Sequence, residues 1–181
     1  MVEYRDDETG AHVRRVGRFS ALLASVAGLD AARCELISYA SALHDVGKVG
    51  IPDAVLLKPS RLSHEERAVV ETHAQIGYEV VKDSGSEVLQ AAATIAWTHH
   101  EKYDGTGYPR GLVGDEIPIE GRIVAIADVY DALSSDRVYR PAFPLARVRE
   151  IMVAERGSHF GPDVLDAFLA EIADRPSCAP R

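Results

Sequence analysis

The chain has 181 residues, 46% hydrophobic and 27% charged, which suits a single globular domain with one core. Its net charge of −8, from 20 Lys and Arg against 28 Asp and Glu, argues against a protein that grips long nucleic acid through a basic face. A small anionic ligand stays open, because bound cations can supply local positive charge. No segment approaches the roughly 18 apolar residues of a membrane-spanning helix, and the opening MVEYRDDETG has no signal-peptide pattern. Cys34 and Cys178 share no metal or redox spacing, so a reducing, cytoplasmic setting without membrane insertion is expected.

In chain order, residues 9–27 carry Val13, Val16, Phe19, Leu22, Leu23 and Val26 at helical spacing, with Gly28 as a stop. Asp30 can cap a second helix running towards His44 with Leu36, Ile37, Ala40 and Leu43 inward. Gly47, Gly50 and Pro52 then break the chain. Ser63-His64-Glu65-Glu66 is a capping box that starts a third helix, in which Gly77 allows a bend or close packing near His73. A fourth helix covers about 86–99, and the Gly- and Pro-rich residues 101–118 form one long ordered loop of the kind that often carries function. Further helices follow at about 119–135, 144–155 and 162–173, the first of them apolar on more than one side. Pro162 suits a first helical turn, and residues 176–181 form a flexible tail. Strand-like alternation is nearly absent, so the expected fold is all-α.

Histidines and carboxylates recur where helices meet loops: Glu8 and His12, His44 and Asp45, His73, His99 and His100, and Asp128. Imidazole with carboxylate and no thiolate suits Fe, Mn, Zn or a related divalent ion rather than a structural zinc knot. Glu8 and His12 are four apart and share a helix face. His44 and Asp45 are adjacent, so their side chains diverge and can meet different ions. Asp128 lies on a nearly all-apolar helix, where a carboxylate is costly unless paired or metal-bound. Singly, each has an ordinary reading: a surface His12, a solvated Glu8, a structural His73, an Asp128 paired with arginine. Together, five of the seven histidines and three acids at breakpoints point to a metal centre.

These segments carry a resemblance. HDVGKVGIPD at 44–53 resembles the signature of the HD superfamily of metal-dependent phosphohydrolases, and HHEKYDGTGYP at 99–109 is similar to the second signature of its HD-GYP subfamily. ADVYDALSSDRVYR at 127–140, ETGAHVRRV at 8–16 and GSHFGPDVLDAFL at 157–169 match further blocks, in order, over nearly the whole chain. The resemblance implies a bundle of roughly six to eight helices around a bi- or trinuclear site. It implies a catalytic domain over 1–175, compatible with being the output part of a longer protein with an upstream sensor or receiver domain. The implied ligands are His12, His44, Asp45, His73, His99, His100 and Asp128, with Asp45 bridging, and Glu8 for a third ion. Two or three divalent ions are implied, Fe or Mn first, with Zn, Ni, Co or Mg also compatible.

The implied activity is hydrolysis of a cyclic dinucleotide, cyclic di-GMP first, to the linear dinucleotide and in some members onward to GMP. Two cations lower the pKa of a water and neutralise phosphate oxygens, so Asp45 and Lys48 are the expected catalytic residues. Lys48 sits four residues after His44, and Arg137 and Arg140 match family positions that grip phosphate, which suits the guanidinium fork. Tyr108 can stack on a guanine or donate a hydrogen bond, while Gly105 and Gly107 let the loop approach a ligand. Asp131 is either a partner of a metal-bound histidine or a surface acid. Asp104 is expected to form a turn, Trp97 to lie in the core, and His64, His159 and the Arg14-Arg15 pair to lie at the surface. A homodimer is compatible with the sequence. The competing readings are another HD-type nucleotide phosphohydrolase and a catalytically silent metal- or ligand-binding signalling module.

Overall fold

The computed structural model describes residues 10–137 and 140–174. Among them lie nine α-helical segments and only isolated β-bridges. The first is α1 (Gly10–Val26), ended by Gly28 at a left-handed φ of 84°. Next comes α2 (Ala31–Ala40), whose Asp30 cap accepts the Arg33 N–H. A 3₁₀ turn, Ser41–Leu43, carries the chain to His44, so the second helix tightens rather than continuing as α. A second 3₁₀ segment, Val46–Gly50, leads into the one-turn α3 (Asp53–Leu56), which the sequence does not announce.

The capping box is present as expected: Ser63 Oγ accepts the Glu66 N–H while the Glu66 carboxylate accepts the Ser63 N–H, opening α4 (His64–Glu71). The helix breaks at Thr72 rather than at Gly77, and α5 (His73–Val81) follows. Gly77 serves instead for close packing: a Cβ there would lie 3.2 Å from Gly47 N and 3.1 Å from Ala96 Cβ. After α6 (Glu87–Thr98) comes the long loop, and then α7 (Ile119–Ser134), α8 (Leu145–Ala154) and α9 (Pro162–Asp174).

The core forms where α1 packs on α2, α7 and α9. Val16, Phe19 and Leu23 of α1 meet Ile123, Ile126 and Tyr130 of α7 and Phe168 of α9, all buried. Tyr130 stands edge-on to Phe19 (4.8 Å) and to Phe168 (5.0 Å). Each such side chain contributes on the order of 2–3 kcal/mol by leaving water. This packing sets His12, one turn before Val16, opposite Asp128 and Asp131 of α7. No helix among the described residues is long and apolar enough to cross a membrane.

Candidate metal centre

Three histidines follow helix ends, and the reason is local. A carbonyl in the last turn of a helix has a second lone pair to offer beyond any backbone bond, and an imidazole three or four residues on can donate to it. His44 Nδ1 lies 2.8 Å from Ser41 O, His73 Nδ1 lies 2.7 Å from Val70 O, and His99 Nδ1 lies 3.0 Å from Ile95 O and 3.1 Å from Ala96 O. A carbonyl only accepts, so each Nδ1 carries a proton and each Nε2 is the atom left to act as a ligand. Those Nε2 atoms converge on Asp45. His73 Nε2 is 3.0 Å and His99 Nε2 3.6 Å from Asp45 Oδ1, while His44 Nε2 is 3.3 Å from Oδ2.

The two oxygens of Asp45 thus face two groups of ligand atoms. One group is Asp45, His73, His99 and His100; the other is His12, His44 and Asp128. Within each, the ligand atoms lie within 4.8 Å of one another. His73 Nε2, His99 Nε2 and Asp45 Oδ1 are buried with no hydrogen-bond partner, close to one another but outside hydrogen-bond geometry. Buried polar atoms left without partners are costly, and three such atoms aimed at one point fit a cation as the missing partner.

The electrostatics agree with a ligand set. Burial opposes the charge on Asp45, but His44, His73 and His99 around it outweigh that and hold its carboxyl well below the usual range. Burial pushes His99 down against the opposing pull of Asp45, and burial with His99 and His73 pushes His100 well down, so both are neutral imidazoles at neutral pH. Neutral imidazole and ionised carboxylate are the forms that bind metal. Burial also drives the Tyr108 phenol far above its ordinary value, so it remains a donor. Lys48 Nζ sits 2.7 Å from Asp45 Oδ2.

His12 is oriented differently. Its Nδ1 lies 2.8 Å from Asp131 Oδ2, and its Nε2 lies 3.7 Å from Asp128 Oδ1. Asp131 is fully buried and receives Arg15 Nε (2.5 Å), Arg15 Nη2 (2.9 Å) and Ser135 Oγ (3.1 Å). The choice left open for Asp131 falls to the histidine partner, and Arg15 is no solvated helix arginine. Two α7 turns and one α1 turn meet there, a coincidence that helical periodicity alone cannot reveal. Asp131→Asn keeps the shape but removes the charge that holds His12 and Arg15. It is expected to weaken metal binding at the His12, His44 and Asp128 group roughly 10–100-fold, checked by manganese titration of the metal-stripped protein; unchanged binding would count against the assignment.

The long loop is built against its own start. Glu101 is buried, 2% exposed, and accepts Arg110 N–H (2.7 Å) and Leu112 N–H (3.0 Å). Gly107 approaches backbone rather than a ligand: a Cβ there would lie 2.2 Å from Lys102 N. Gly105 takes a φ of 82°, and Asp104 forms the expected turn by accepting from Thr106 N (2.9 Å) and Oγ1 (2.7 Å). Trp97 is half-buried rather than core, stacked on Tyr78 at 4.0 Å with the Arg110 guanidinium 4.5 Å from its ring centroid. His159 is half-buried, and burial pushes it down to about 4. His64 is exposed as expected.

The Arg140 guanidinium is engaged within the chain. Its Nη2 and Nη1 donate to Ala132 O (2.6 Å) and Pro141 O (2.8 Å), and the guanidinium lies 4.0 Å from the Phe143 ring centroid. Its backbone pairs with Arg137 in an isolated bridge. Glu8, the candidate ligand for a third ion, and the tail at 176–181 lie outside the described residues.

The family model described as the HD domain matches residues 1–164. This chain belongs to the HD domain family. Among its relatives, the 3'3'-cGAMP-specific phosphodiesterase 2 of Vibrio cholerae is 47% identical over 168 residues, 93% of this chain and 32% of that protein. The cyclic di-GMP phosphodiesterase response regulator RpfG of Xanthomonas campestris is 46% identical over 93% of this chain and 44% of its own length. This HD domain therefore spans less than half the length of either relative. Its fold resembles that of a solved HDG"Y"P protein of Bdellovibrio bacteriovorus, with a TM-score of 0.67 at 22% identity over 95% of this chain and 55% of that one.

Glu101, Arg15 and Ser135 are the site-supporting residues that sequence reasoning misses. A glutamate directly after two histidines, ahead of a Gly-rich loop that offers backbone N–H groups, is the signal that could have found Glu101.

Proposed function

We propose that this HD domain hydrolyses a phosphodiester bond of a cyclic dinucleotide, with cyclic di-GMP as first substrate. The observation that carries the reading is Asp45, ringed by imidazole Nε2 atoms from separate elements, with partnerless buried atoms on both sides of its contact with His73. Asp45, His73, His99 and His100 would hold one divalent ion, and His12, His44 and Asp128 a second, with Asp45 shared between them; Glu8 is a candidate for a third. Iron or manganese suits this nitrogen and oxygen donor set. When bound, such ions supply Lewis-acid charge against phosphate oxygens and lower the pKa of water.

The chain's own residues supply the rest. Lys48, fixed beside Asp45, places an ammonium where a phosphate oxygen would sit. Water attacks phosphorus in line, the bond from phosphorus to the 3′ oxygen breaks, and that oxygen leaves and takes up a proton. Arg137 and Arg140, paired through their backbones, are the candidates for the second phosphate of the ring. Tyr108, protonated and half-buried beside His100, presents a hydroxyl donor to a ligand. Relatives of nearly equal identity are named for cyclic di-GMP and for 3'3'-cGAMP, so the substrate class is supported more strongly than its second base.

The test is product analysis. The chain, loaded with iron or manganese, is incubated with cyclic di-GMP, 3'3'-cGAMP and a panel of nucleoside triphosphates. Linear dinucleotide from a cyclic substrate is the expected product. Release of phosphate or pyrophosphate from the triphosphates alone would favour another HD-type phosphohydrolase. Metal uptake with no turnover of any substrate would favour a silent binding module.

A further inference from the structure

Of the five histidines at the centre, four have their ring plane set by a hydrogen bond at Nδ1: His44, His73 and His99 through carbonyls, His12 through Asp131. His100 differs. Its ring is held by stacking: Tyr108 lies on it at 4.7 Å between centroids and 27° between planes, with His99 at 4.0 Å and His73 at 4.9 Å on its other contacts. Among the described residues, no hydrogen bond reaches the His100 ring.

We propose that Tyr108 is a positioning residue for the metal ligand His100, and that Glu101 is the latch that keeps Tyr108 in place. The inference rests on the metal-centre reading above and assigns the long loop a role besides substrate contact. Glu101 follows His100 directly, so its carboxylate is anchored to the same backbone as the ligand it serves. Its two oxygens take the N–H groups of Arg110 and Leu112, on the far side of Tyr108. A carboxylate buried to this degree is costly without such bonds, so the closed loop is the state in which it is satisfied. The Tyr108 N–H donates to His100 O at 3.2 Å, tying the two residues at the backbone as well. Gly107 lets the chain pass against Glu101 and Lys102, where any side chain would collide with backbone. Arg110, stacked on Trp97, fastens the loop's outer side. Each contact converges on one outcome, the Tyr108 ring flat against His100. In histidine sites the partner that fixes ring orientation is usually a hydrogen-bond acceptor; here an aromatic face takes that place.

The experiment is calorimetric titration of manganese into the metal-stripped full chain, comparing wild type with Tyr108→Phe, Tyr108→Ala and Glu101→Gln. Phenylalanine keeps the ring, so Tyr108→Phe is expected to bind both ions as wild type does. Tyr108→Ala is expected to weaken one ion roughly 10–100-fold, the usual effect of losing an orienting partner, and to leave the other unchanged. Glu101→Gln is expected to weaken that same ion. Two wild-type binding steps in Tyr108→Ala would overturn the proposal, as would a loss in Tyr108→Phe equal to that in Tyr108→Ala, which would assign the effect to the hydroxyl. Should Tyr108→Ala lose its helical circular dichroism, Glu101→Gln decides, and unchanged binding there overturns the latch. A wild-type chain that takes up no ion overturns the metal-centre reading itself, and this inference with it.

Discussion

Asp45→Ala is expected to lower the turnover number by on the order of 10³ or more and to remove tight uptake of both ions. Among the described residues, Asp45 is the carboxylate whose two oxygens face both sets of ligand atoms, Oδ1 towards His73 and His99 and Oδ2 towards His44 and Lys48. Alanine leaves the imidazoles in place but takes away the negative charge between them. A cation site is worth several kcal/mol to a transition state that gathers negative charge on phosphate, and about 4 kcal/mol corresponds to about a thousandfold in rate. The side chain is nearly enclosed, so solvent replaces little of the loss. Metal analysis beside single-turnover hydrolysis checks the result. An Asp45→Ala protein that retains two ions and turns over within tenfold of wild type would remove Asp45 from the centre.

Gly47→Ala is expected to cost about 3 kcal/mol or more of stability, through backbone rather than chemistry. A methyl group on Gly47 would lie 2.0 Å from His73 O, 2.4 Å from Gly77 N and 2.9 Å from Gly77 Cα. These are main-chain atoms that cannot rotate aside, so α5 must move away from the Val46–Gly50 segment. Overpacking in a tight core costs on the order of 1–3 kcal/mol and sometimes more. For a chain of this size, that displaces the melting temperature by roughly 6–12 °C at the upper figure. The same displacement would open the 3.0 Å contact between Asp45 and His73. Gly85 is the control, because a Cβ there meets nothing within 4 Å; Gly85→Ala is expected to melt with wild type. Equal melting of both variants in a thermal scan would show that the close crossing at Gly47 carries no energetic weight.

The seven helices expected from periodicity all appear, and their caps are where local chemistry places them. Asp30, Ser63 and Gly28 act through bonds or a backbone angle within a few residues of themselves, and such signals survive in a linear string. The one-turn α3 and the break at Thr72 were not legible. A single turn has too few residues to show a period, and the break depends on seating His73 against Asp45, a contact made across sequence. The roles of Arg15 and Glu101 were hidden for a related reason: arginine and glutamate are ordinarily solvated, and only a neighbour far along the chain or a loop folded back on itself makes them partners. Arg140 shows the converse, a residue whose type suits phosphate while its surroundings engage it with Ala132 and Pro141.

By itself the amino-acid sequence determined the helical class, the family, and which imidazoles and carboxylates are available, because periodicity, capping and motif spacing are short-range properties. Only the tertiary structure decided how those groups divide into two sets about Asp45, which partner orients each ring, and that Gly47 and Gly77 bring the sets together. Those outcomes depend on distances between helix ends far apart in sequence, and such distances exist only once the core has packed.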